Sequence, residues 1–150
     1  MANLQRMTAT RLGEILTHAG LVTVDQLDTA LADQKTTGLH LGEVLVDHGY
    51  VTERDIAQAI TTQFGLPYLS PMQYYTSPPV LKLIPLDVMR KHKLVPLDKM
   101  GEVLTVCISG PVEPGVLEQI EKATGCTIQV FIATASDIKQ AIDKFAAESG

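Results

Sequence analysis

Positive charge is in short supply in this 150-residue chain: 12 Lys and Arg stand against 17 Asp and Glu, for a formal net charge of -5. The shortage is sharpest in residues 1–65, where four basic residues face eight acidic ones. A general electrostatic grip on a nucleic-acid backbone is therefore disfavoured, and neither DNA nor RNA is an expected partner. An anionic ligand would have to be held by a few placed groups, such as Arg11 and helix amino termini. Long apolar runs are also missing. None approaches the roughly 18 residues of a membrane-spanning helix. The first thirty residues, with Arg6, Arg11, Glu14 and His18, lack the layout of a secretory signal. The expectation is a cytoplasmic chain with no direct membrane insertion.

Cysteine is scarce. Cys107 and Cys126 stand nineteen apart with no CxxC, and Cys107 lies inside the apolar run Val103 to Ile108, so both read as buried free thiols. His18, His48 and His92 show no metal-binding spacing. No phosphate loop, nucleophile elbow or framed acid pair occurs either. Neither catalysis nor a metal or cofactor is expected.

What the chain does have is a repeat. Arg11-Leu-Gly-Glu-Ile-Leu16 with Gly20, Leu27, Leu31 and Gln34 recurs 29 residues later as His40-Leu-Gly-Glu-Val-Leu45 with Gly49, Ile56, Ile60 and Gln63. Two copies of one helical hairpin can build a single site of approximate twofold symmetry, which suits a ligand that is itself symmetric. Apolar residues Leu12, Ile15, Leu16 and Ala19, then Leu27, Ala30 and Leu31, fall at three- and four-residue spacing and predict four short helices between residues 9 and 64. Gly20 and Gly49 stand where a left-handed residue closes a helix, and Thr23 with Gln26 and Thr52 with Asp55 mark the next helix starts.

Residues 1–65 thus form a tandem-motif helical module. A connector rich in Pro and Tyr follows at 66–84, reading as extended chain that cannot sustain a helix. Residues 85–150 read as a small α+β subdomain. It comprises a short helix at Leu86 to Lys91, strands at Leu94 to Leu97 and Val103 to Ser109 around a turn at Asp98 to Gly101, a helix at Pro114 to Thr124, a strand at Thr127 to Ala133 and a helix at Ser136 to Ala147. The fold class is α+β, with a short sheet covered by helices; 150 residues allow two small subdomains or one composite domain.

Gly13 and Gly42 sit in or near the starts of predicted helices, where glycine costs about 1 kcal/mol relative to alanine. Each serves either close helix packing or close approach of a ligand to the backbone. Leu16, Leu27 and Leu31, with Leu45, Ile56 and Ile60, are at core spacing, though some could form an apolar floor for a flat ring. Arg11 offers a planar fork for guanine or a phosphate, and Gln34 and Gln63 supply amides that can read a base edge or a ribose. His40, in the place of Arg11, brings stacking or hydrogen bonding with little fixed charge. The run Arg90, Lys91, His92 and Lys93 complements a helix dipole and is also a candidate edge for an acidic partner.

The paired pattern Arg-Leu-Gly-x-x-Leu-x-x-x-Gly-(x6)-Leu-x-x-x-Leu-x-x-Gln, its copies separated by Lys35 to Leu39, resembles the amino-terminal module of type II secretion and type IV pilus assembly ATPases, the MshEN domain. The resemblance continues through Ile84-Pro85, Val95-Pro96-Leu97 and the stretch Ser136 to Ile142. It implies binding of cyclic di-GMP by a non-catalytic regulatory module. Arg11, Leu12, Gly13, Leu27, Leu31 and Gln34 would hold one half of the ligand, and His40, Leu41, Gly42, Ile56, Ile60 and Gln63 the other. His40 departs from the arginine that heads the family motif, and Ile56 and Ile60 depart from its leucines. The implied partners are a secretion or pilus ATPase core or an inner-membrane secretion protein, with any membrane association peripheral and through partners. The alternative function is docking of a secretion ATPase to that inner-membrane partner without nucleotide. No phosphate loop follows, so the chain reads as either an excised amino-terminal region or a stand-alone sensor.

Overall fold

A computed structural model describes residues 9–110, 112 and 115–149; the side chains of residues 9–11 and 149 lie outside the described set. The repeat folds as two helical hairpins: α1 (Ala9–His18) with α2 (Val24–Thr37), and α3 (Leu41–Asp47) with α4 (Glu53–Phe64). The same punctuation sets both. Gly20 at φ 76° and Gly49 at φ 75° turn the chain out of the first helix of each hairpin. Thr23 Oγ1 then accepts from the Gln26 N–H at 3.1 Å while Gln26 Oε1 accepts from the Thr23 N–H at 2.9 Å. Thr52 and Asp55 make the equivalent pair, both bonds at 3.1 Å, so each second helix starts on a reciprocal capping box.

The copies differ at their heads. Arg11 falls within α1 by its backbone, whereas His40 stands outside α3 as its N-cap at φ -67°, ψ 145°. The cause lies upstream: α2 ends on left-handed Gly38, leaving only Leu39 before His40, so α3 cannot begin earlier. Hairpins then pack crosswise, α1 on α4 and α2 on α3. The His48 ring bonds Asp33 of α2 and stacks on Tyr50, with ring centroids 5.0 Å apart.

The connector is less extended than its composition predicts. It holds a 3-10 turn at Pro71–Gln73 and a one-turn helix, α5 (Pro78–Leu81). Proline breaks helices only beyond the first turn; at the first positions its missing N–H is one that no helical carbonyl would have accepted. Earlier in the connector, Leu69 N–H donates to Ile132 at 2.9 Å and Ile132 N–H to Pro67 at 2.8 Å, so this segment lies along an edge strand.

The remainder runs α6 (Leu86–His92), β1 (Leu94–Met100), β2 (Val103–Ile108), α7 (Val116–Thr124), β3 (Thr127–Ile132) and α8 (Ala135–Ser149). The sheet order is β1-β2-β3, with β1 antiparallel to β2 and β3 parallel to it across the α7 crossover. β1 continues through residues expected to turn. An irregularity between Pro96 and Asp98 shifts register, so that Asp98, Lys99 and Met100 pair with Thr105, Leu104 and Val103. The turn is left to Gly101, at φ 61°, and Glu102. α7 begins after Gly115; Pro114, the expected start, lies outside the described residues. One apolar core runs from Leu12, Leu16 and Ile60 through Leu94, Leu104 and Ile108 to Ile138 and Ile142, so the helical module and the sheet share a single interior.

Candidate functional site

Gly13 and Gly42 show first what the repeat is built to do. A Cβ at Gly13 would stand 2.9 Å from both δ-carbons of Leu27, and one at Gly42 would stand 3.3 Å from Ile56 Cδ1. Each glycine therefore lets the second helix of its hairpin close onto the first. The apolar positions divide. Leu12, Leu16, Leu41, Leu45, Ile56 and Ile60 are buried, while Leu27 and Leu31 of α2 are half-exposed together with Gln34. An apolar floor open to a ligand is thus confined to α2 among these residues.

A cleft of about 180 Å³ lies where the second hairpin meets the α+β part. Leu12, His40, Gly42 and Ile56 from the two motifs line one wall, beside Glu43, Asp47 and Glu53. The other wall comes from the end of α6 (His92, Lys93), the end of β2 (Ser109, Gly110) and the start of α8 (Ser136, Lys139). Two polar bonds join the walls. His40 Nε2 lies 3.2 Å from the Lys91 carbonyl oxygen, as donor, and Ser136 Oγ donates to Glu53 Oε1 at 2.8 Å. On its own side His40 also offers its N–H to Glu43 Oε1, at 3.4 Å.

A second cleft, broader at about 690 Å³, separates α1 from α4 and is lined by Gln63 with Glu14, His18, Asp55 and Gln58. Glu14 and Asp55 there disfavour an anion. The structure thus brings Leu12, His40, Gly42 and Ile56 together, places Gln63 in the other cleft, and sinks Leu41 and Ile60 into the core. Leu27, Leu31 and Gln34 line neither cleft, and Gly13 is buried beneath Leu27. The Arg11 side chain lies outside the described residues.

Sequence reasoning missed Ser109, Ser136 and Lys139, whose only signal was their position at element ends. His92 and Lys93 stand out in the sequence as part of the basic run, but not as lining a cleft. That run splits: Arg90 pairs with Asp143 at 3.1 Å, while Lys93 turns into the cleft wall. Among the described residues no group of three or more His, Cys, Asp or Glu could hold a metal ion. Cys107 and Cys126 are free and buried. Burial pushes the Cys107 thiol up to about 12, with the Asp137 carboxylate adding to the effect, so this thiol is not a nucleophile. No described helix is long and apolar enough to cross a membrane.

Comparison with known proteins adds the following. The MshEN domain family matches residues 64–150, the connector and the α+β part, where the resemblance drawn from sequence rested on Ile84-Pro85, Val95-Pro96-Leu97 and the stretch Ser136 to Ile142 as well as on the tandem motifs before it. The chain is 31% identical over 140 residues to the type IV pilus assembly ATPase PilB of Myxococcus xanthus, and 35% identical over 142 residues to the PilB of Thermus thermophilus. The alignments cover 93% of this chain, but only 25% and 16% of those relatives. In fold it is similar to the amino-terminal domain of XpsE, with a TM-score of 0.74 at 25% identity over 93% of this chain and 96% of that one. It is also similar to MshE solved with cdg, with a TM-score of 0.70 at 24% identity over 89% and 97% of the two chains.

Proposed function

Since the chain belongs to the MshEN domain family, we propose that it is a non-catalytic receptor module for cyclic di-GMP, held by the two tandem motifs. The observation that carries this reading is the matched construction of the two hairpins. Glycine meets the facing Leu27 or Ile56 at equivalent positions in both, and capping boxes start α2 and α4 in the same way. A cyclic dinucleotide has two guanines and two phosphates, and a duplicated hairpin offers like surfaces to like halves. The similarity in fold to MshE, itself solved with cdg, supports the same choice of ligand.

The cleft is smaller than the ~300–1,000 Å³ of sites that enclose drug-sized ligands. It suits one part of the ligand, the rest lying over α2, where Leu27, Leu31 and Gln34 are partly exposed. Arg11 would read guanine or a phosphate in the first half-site, and Gln34 and Gln63 would place amides at base or ribose edges. Ligand bridging the motifs would favour one arrangement of the hairpins over another, since a ligand shifts an equilibrium only by its differential affinity. The recipient of that shift would be the ATPase core of a type IV pilus or secretion machine, in the cytoplasm.

Calorimetric titration of the folded chain with cyclic di-GMP, run beside GMP and ATP, tests the reading. Selective saturable binding is expected, with affinity reduced at least about tenfold in Arg11→Ala, the scale of one bidentate contact. Absence of binding by the folded wild-type chain would overturn it.

A further inference from the structure

We propose that the α+β part completes the second half-site: Lys93 and Lys139 reach across the cleft to supply a ligand phosphodiester with the cationic groups that the second motif lacks. This rests on the cyclic di-GMP reading above. The first motif opens on Arg11, a fixed positive charge. The second opens on His40, which stands outside its helix and commits its ring to the Lys91 carbonyl and its N–H to Glu43. The second motif therefore contributes no fixed cation of its own at the corresponding place.

The opposite wall holds two. Lys93 caps α6 in the left-handed region, at φ 57° and ψ 56°, and is the one non-glycine residue with positive φ among the described residues. A glycine would occupy that backbone with less strain, so the lysine stands there at a conformational cost. Lys139 projects from α8 at the same cleft. Neither lysine enters an ion pair among the described residues, in contrast to Arg90 of the same basic run, held by Asp143. The lining also carries three carboxylates, Glu53 accepting the Ser136 hydroxyl, Glu43 the His40 N–H, and Asp47, so the two ammonium groups are what distinguishes this cleft from the broader one, whose lining has Glu14 and Asp55 and no Lys or Arg. Two uncommitted ammonium groups flank an apolar wall of Leu12, Gly42 and Ile56. Leu12 and Ile56 are themselves buried, so the cleft offers the chemistry for one phosphodiester, with the adjoining base left to the open face of α2.

One consequence separates this arrangement from a site made by the motifs alone: the ligand would tie the tandem module to the α+β part, and its affinity would depend on residues outside both motifs in sequence.

The test is calorimetric titration of cyclic di-GMP into the full chain and three variants, each first shown to be folded by circular dichroism and thermal melting. Lys93→Gln with Lys139→Gln should lower affinity by about tenfold or more, since charge-assisted bonds to phosphate are lost. Lys93→Arg with Lys139→Arg should stay close to wild type. Adding His40→Arg to the double glutamine variant should recover part of the loss, because it restores a cation on the facing wall. Glutamine variants that bind as tightly as a binding-competent wild type would overturn this proposal and leave the ligand assignment standing. A folded wild type that does not bind would overturn both.

Discussion

Leu27 closes over Gly13 so tightly that a Cβ there would meet both of its δ-carbons at 2.9 Å, and 29 residues later Ile56 stands over Gly42 with 3.3 Å in the same sense. The two contacts are equivalent by sequence but not by tolerance. Gly13→Ala has to push aside both δ-carbons of the half-exposed Leu27, an overlap deeper than the single contact at Gly42 and costing about 1–3 kcal/mol, against a gain of about 1 kcal/mol in helix propensity. A net loss of about 1 kcal/mol is expected, lowering the thermal midpoint by roughly 2–4 °C. Gly42→Ala meets a single atom, Ile56 Cδ1, at 3.3 Å, and the propensity gain should offset the contact, leaving stability within about 0.5 kcal/mol of wild type. Thermal melts of the two variants side by side check this asymmetry. A Gly13→Ala chain as stable as Gly42→Ala would show that Leu27 turns aside freely.

The reciprocal bonds of Thr23 with Gln26 and Thr52 with Asp55 sit at helix starts where both threonines are exposed. Thr23→Ala and Thr52→Ala should therefore each cost about 1 kcal/mol, and the double variant should cost their sum, because the sites share no partner. Urea titration measures all three. A marked shortfall in the double variant would mean that the hairpins unfold as separate units.

These caps, with Gly20 and Gly49, were readable from sequence because each is a local rule: a hydroxyl three residues before an amide or carboxylate, a glycine where φ must be positive. The order of helices and strands along the α+β part and the buried thiols were equally legible from apolar runs and turn residues, whereas the pairing of the strands in the sheet was not. The candidate cleft was not. Its second wall gathers Lys93, Ser109 and Lys139 from three separate element ends, and no periodicity links positions that only the fold brings together. Nor could the motif alone show that Leu41 and Ile60 are core. A leucine at helical spacing reads the same whether the third layer covering it is protein or ligand. The helical turn at Pro78 was misread because proline was treated as a breaker regardless of where in the helix it stands.

Cys107 makes stability depend on alkaline pH in one direction. Its thiol ionises at about 12 in the folded chain, and near its ordinary value of 9.0 once unfolded. Between those values the unfolded state has given up the proton while the folded state keeps it, so stability falls as pH rises above 9 and is unaffected below. The loss should amount to a few kcal/mol at most across that window. Cys107→Ala should show a flatter decline than wild type between pH 9 and 10.5 in chemical denaturation, whatever its starting stability. The native protein should also resist thiol reagents at pH 8 and react fully on unfolding. Parallel pH profiles for wild type and variant would contradict the assignment.

Lys93 places stability and binding in opposition. Its left-handed backbone costs about 1 kcal/mol relative to glycine, and its N–H still closes α6 onto the Met89 carbonyl. Lys93→Gly keeps that bond, removes the strain and deletes the ammonium group. The variant should melt roughly 2–4 °C above wild type while binding cyclic di-GMP more weakly than wild type does. A residue kept only to end a helix would show the first effect without the second. A Lys93→Gly chain that is both more stable and equally good at binding would reduce Lys93 to a tolerated cap. One that is less stable would mean that the side chain packs against the cleft wall, and that the position was never strained in its favour.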